Sequence, residues 1–86
     1  MVYLAIELSA VAEAIELSRQ SGAALWLGAD AVGPEEHARL SKSGLNITRF
    51  AYPLSGASEA TLSQSIATVA QHHPGETIWV QSVARP

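Results

Sequence analysis

The chain has no cysteine. That excludes disulfides, thiol nucleophiles, iron–sulfur clusters and cysteine zinc sites. Charge is scarce as well. Charged side chains make up 15% of the 86 residues, against about 25% in ordinary soluble domains. Part of the surface must therefore be neutral, which favours association with another protein. Lys and Arg number only five, and the net charge is −3. Nucleic-acid binding needs clustered basic side chains to displace counterions, so no nucleic-acid partner is expected. No apolar run approaches the roughly 20 residues of a membrane-spanning helix, so no membrane partner is expected either. The opening residues Met1–Glu7 lack a basic stretch and read as a strand rather than a secretion signal. A cytoplasmic location is the expectation that follows.

Chemical motifs are missing too. The chain contains no GxGxxG, no GxxxxGKS/T, no GxSxG and no HExxH. His37 is isolated, and His72 and His73 are adjacent, so they point in different directions on a helix and make poor joint ligands. No metal and no cofactor are expected.

What the chain does have is a phrase used three times. A helical segment ends in a polar residue or proline, then glycine, then an apolar run. The copies are Gln20-Ser21-Gly22 before Ala23–Ala29, Lys42-Ser43-Gly44 before Leu45–Tyr52, and His73-Pro74-Gly75 before Thr77–Val83. With a first strand over Val2–Leu8, the order is βαβαβαβ, a single α/β domain over residues 1–86 with a four-stranded parallel sheet in three layers. Val2–Leu8 and Ala23–Ala29 are apolar on both faces, Glu7 apart, which marks strands covered on both sides. The other two strands mix polar and apolar residues and read as edges. The sheet order 3-2-1-4 puts both apolar strands inside. The order 2-1-3-4 is the alternative.

Ser9 is the expected cap of the first helix. Pro34 opens the second, and Ser58 caps the third. Leu62, Ile66, Val69 and Ala70 form the inward stripe of that third helix. The architecture resembles a trimmed Rossmann-like or flavodoxin-like domain, without the phosphate-binding glycine motif of either. Architecture alone implies no activity.

In open α/β sheets ligands bind at the carboxyl ends of strands, where the winding reverses. For order 3-2-1-4 that crevice would be lined by Glu7, Ser9, Gln81 and Ser82. Asp30, ending the second strand, is the sharpest single candidate for a ligand contact or a base, or else the start of a loop bonded to its own backbone. Glu7, if buried, would have the raised pKa of a general acid. Ser55 and Ser58, before the third helix, are placed to hold an anion or simply to cap the helix.

The third helix carries one charge, Glu59, and its outward positions read as Thr61, Ser65, Thr68, Gln71 and His72. Interface cores are depleted in charge. Trp26 and Trp79 read as core residues, with Trp79 as the one able to mark a partner surface from an edge strand. Three functions follow in order. The first is a non-enzymatic association or regulatory module, most simply a homodimer. The second is a small-ligand or anion-binding module using the strand ends. The third is a small enzyme using Glu7 or Asp30 as acid or base. The three glycines lie at the opposite end of the sheet and read as fold-setting residues.

Overall fold

The computed structural model describes residues 1–81, with Gln81 described by its backbone alone. Among these residues the elements run β1 (Val2–Ala5), α1 (Val11–Ser21), β2 (Ala24–Leu27), α2 (Pro34–Lys42), β3 (Ile47–Arg49), α3 (Glu59–His72) and β4 (Ile78–Gln81). The four strands form one sheet in the order β3-β2-β1-β4. Every pairing is parallel: Val2 lies beside Ala24 and Ile78, and Leu25 beside Ile47. The expected order and parallel sheet are both present. Ser82, Val83 and the rest of the last apolar run lie outside the described residues.

Alternation along the strands sorts the core into two layers. Ala5, Leu25, Leu27 and Ile47 pack with Val11, Ala14 and Leu40 of α1 and α2. Val2, Leu4, Ala24 and Trp26 pack with Phe50, Leu54 and Val69 of the opposite layer, where α3 lies. β1 and β2 are thus buried on both faces, which is what their uninterrupted apolar sequences require.

The helix starts differ from expectation in one place. Leu8–Ala10 forms a 3-10 turn, and α1 begins only at Val11 with no side-chain cap, so Ser9 caps nothing. The turn aligns the chain without needing the hydroxyl, because Ala10 N–H donates to the Glu7 carbonyl at 3.0 Å. Pro34 opens α2 as expected. Ser58 caps α3, its Oγ accepting from Thr61 N–H. α1 ends at Gly22 with φ +76, a left-handed geometry that suits glycine. Ser18, buried one turn earlier, donates to the Ala23 carbonyl and ties that helix end to the start of β2.

Ser65 departs from its expected place. It is fully buried, not outward. Its hydroxyl donates to the Thr61 carbonyl at 2.8 Å, and so accepts from Tyr52 Oη at 3.1 Å. A serine can face the core where two partners satisfy it. Ser65→Ala should therefore lower stability by about 1 kcal/mol, because the tyrosine hydroxyl loses its acceptor. Tyr52→Phe in the same background should cost less than the two single changes added, since the pair is removed together. Chemical denaturation of the four proteins measures the coupling.

Candidate functional site

The carboxyl end of the sheet was the expected location, and the structure shows how it is built. After β3 the chain runs back across the end of β2. Ala29 N–H donates to the Tyr52 carbonyl at 2.9 Å. Leu54 N–H donates to Asp30 Oδ1 at 3.2 Å. Leu54 itself is fully buried, in the cluster that also holds Ile6, Trp26 and Phe50. The segment is pressed so closely on β2 that a Cβ on Gly28 would lie 2.7 Å from both Leu54 N and Asp30 Oδ1. Asp30 is thus bonded to the backbone of the loop after β3, 24 residues away, rather than to its own loop.

The other described strand-end candidates lie on separate turns. Glu7 is half-buried and flanks the 3-10 turn, while Ser9 is exposed on that turn. Ser58 is engaged as the α3 cap, and its hydroxyl donates to Thr61 Oγ1 at 3.0 Å. Ser55 is half-buried in the turn before it. The Gln81 backbone pairs beside Ala5, and Ser82 lies outside the described residues. Among the described residues, no group of three or more His, Asp or Glu side chains is arranged to hold a metal ion.

Concave surface lies instead at the amino end of the sheet. One depression of about 210 Å³ is lined by Ser18, Arg19, Gly22 and Ser43–Asn46. A neighbouring one of about 290 Å³ is bordered by Met1, Ser21, Asn46, His73 and Glu76. Both are shallow and open. Their rim carries a chain of polar contacts. Trp26 Nε1–H donates to His73 Nε2 at 3.2 Å, His73 Nδ1 meets Glu76 Oε2 at 3.0 Å, and the Met1 ammonium meets Glu76 Oε1 at 2.9 Å. The ammonium, first, and His73, second, hold the Glu76 carboxyl below the usual carboxylate range. The sequence marked His73 only as a poor joint metal ligand with His72. Its pairing with Trp26, 47 residues away, carries no local signal.

The remaining candidate is β4. It borders β1 on one side and no other described strand, so its outer row of backbone groups is unpaired within the sheet. Trp79 lies beside Tyr3, on the face that α1 and α2 cover elsewhere. α1 packs over β1 and β2, and α2 over β3, which leaves Trp79 55% exposed. It is not a core residue, contrary to the simplest expectation. Val80 points to the opposite face and is 42% exposed. Sequence reasoning missed Val80, although a strand that is apolar on both sides at a sheet edge was the signal available. Of the outward positions expected on α3, Gln71 and His72 are exposed, and Thr61 and Thr68 are half-buried.

No family model, no curated protein and no solved structure matches the chain. The geometry alone therefore carries any functional reading.

Two predictions follow from these contacts. Gly28→Ala should lower stability by about 1–3 kcal/mol through overpacking against the Leu54 backbone. Gly33→Ser, at a helix cap with nothing within 4 Å of a new Cβ, should leave stability unchanged or raise it; thermal melts of both proteins test the contrast. The depressed Glu76 pKa gives a second outcome. A carboxyl bound more tightly when ionised contributes stability above its unfolded-state pKa, and that contribution is lost as pH falls through its lower folded-state value. Glu76→Gln should flatten this acid limb of the pH–stability profile, by a small amount because the group is exposed.

Proposed function

We propose that this domain is a non-enzymatic association module and that its contact surface is the edge strand β4, paired with β4 of a second copy. The observation that carries this reading is the pair of exposed apolar side chains, Trp79 and Val80, on the two faces of an edge that no other described strand borders. Native sheets usually blunt such an edge with charge, proline or a covering segment. The sequence Ile78-Trp79-Val80-Gln81 has neither charge nor proline.

The lack of charge favours a second copy over an unlike partner. A two-fold axis normal to the sheet would set the two strands antiparallel, each residue opposite one from the identical strand. A charge close to the axis would then oppose its own kind, and like charges directly opposite are destabilising. A neutral edge is self-complementary. Such pairing would extend the sheet across the axis, bringing the two Trp79 side chains together on one face.

Pairing of four residues buries less than the roughly 800 Å² per partner of a stable interface. The α3 layer supplies more of the required surface. Ala60, Ser63, Ala67 and Ala70 of α3 are all exposed, small and uncharged, Ala70 against its expected place on the inward stripe, and let a neighbouring backbone approach closely. The ligand-binding and enzymatic alternatives have less behind them, since Asp30 is engaged with the loop and Leu54 fills the carboxyl end.

Light scattering should give twice the 9.1 kDa chain mass. Trp79→Glu, which sets carboxylates against each other across the axis, should return it to the single-chain mass with unchanged circular dichroism. A wild-type chain that stays monomeric at millimolar concentration would sink the proposal.

A further inference from the structure

A second feature, independent of the edge strand, lies where α3 ends. Glu76 Oε2 is a carboxylate oxygen held in its ionised form, so it only accepts. The 3.0 Å contact therefore requires a proton on His73 Nδ1. At the other ring nitrogen the partner is the indole N–H of Trp26, which only donates. Nε2 must then be bare. The two contacts assign His73 as the neutral Nδ1–H tautomer, the minor form of free histidine. Trp26 is buried, with its ring centroid 6.0 Å from that of His73 in an edge-on arrangement.

Protonation makes both ring nitrogens donors. Nδ1–H keeps its bond to Glu76. Nε2–H comes to face the Trp26 N–H, donor against donor, and one bond must break. The titratable and charged groups near His73 are few among the described residues. They are Glu76 on the following turn, the Met1 ammonium that shares Glu76, and His72 on the same helix.

We propose that His73 is a pH-sensitive latch. Neutral, it fastens the end of α3 to β2 through Trp26. Protonated, it releases Trp26 and stays with Glu76. The released segment, His73–Thr77, leads directly into β4, and its last residue accepts a bond from Val2 N–H at 2.9 Å.

Nuclear magnetic resonance on the full chain tests this. At neutral pH the His73 nitrogens should show Nδ1 protonated and Nε2 bare. Between about pH 8 and 5, the range in which histidines titrate, the Trp26 indole N–H resonance should shift in step with the His73 ring, with a one-proton slope. His72 needs a control, because its ring lies 5.3 Å from that of Trp26 and its Nδ1 is bonded to the Thr68 carbonyl. In His72→Gln the Trp26 transition should persist, and in His73→Gln it should vanish. An Nε2–H tautomer at neutral pH would overturn the latch. So would a Trp26 resonance that stays fixed while His73 titrates, or one whose transition disappears in His72→Gln. The wild-type measurement alone decides the matter if His73→Gln fails to fold.

Discussion

The rest of the structure depends on the two-sided burial of β1 and β2. Each of these strands places apolar side chains on both faces, and neither face tolerates water. Three crossover helices are available to cover them. With α1 and α2 on one face and α3 on the other, the central pair is sealed. Coverage then runs out at β4, whose α1 face has no helix above it. The exposed Trp79 follows from the number of helices and the sheet order, without any special local feature. A chain of this size buries only about 60–65% of its unfolded surface, so not every apolar side chain can be covered.

The same economy of length fills the space over the end of β2. In larger α/β domains the loops there stand apart and leave a crevice. Here the connection from β3 to α3 crosses the end of β2 and inserts Leu54 into the α3-side core. Gly28 permits the approach, and Asp30 bonds the incoming backbone. Arg49 reinforces the same corner by donating to the Ala29 and Val32 carbonyls at 3.0 and 2.8 Å. Groups that could carry chemistry elsewhere thus hold a loop in place, and this is the physical reason to look for function at an edge.

The sheet order was legible in the sequence because it rests on burial, and burial writes itself into apolar runs. Strand lengths were less so: the apolar run over Val2–Leu8 continues past Ala5 because Ile6 still packs in the core after the ladder ends. Ser65 was illegible for a different reason. Helical spacing places it beside Leu62, Ile66 and Val69 on the inner face, but residue type argues for the outer face, and only the hydroxyls of Tyr52 and the carbonyl of Thr61 resolve the conflict. Trp79 misled in the opposite direction, since an aromatic strand residue is usually core and its exposure depends on which helix covers which strand. Leu54 is buried in the core, and nothing local in the sequence distinguishes a leucine that plugs a core from one that does not.

His73 and β4 are joined by the chain, and that connection couples the end of α3 to the sheet edge. α3 stops at His72, and five residues later the backbone is already paired with β1. So short a segment transmits displacement. Its position is set at one end by the Trp26–His73 bond and at the other by the β1 ladder. The ladder has many hydrogen bonds and fails cooperatively, whereas the bond to Trp26 is single and depends on one proton. If acid loosens this domain, the first movement belongs at the α3 end of that segment, and the edge strand that we propose as the contact surface is the element next in line.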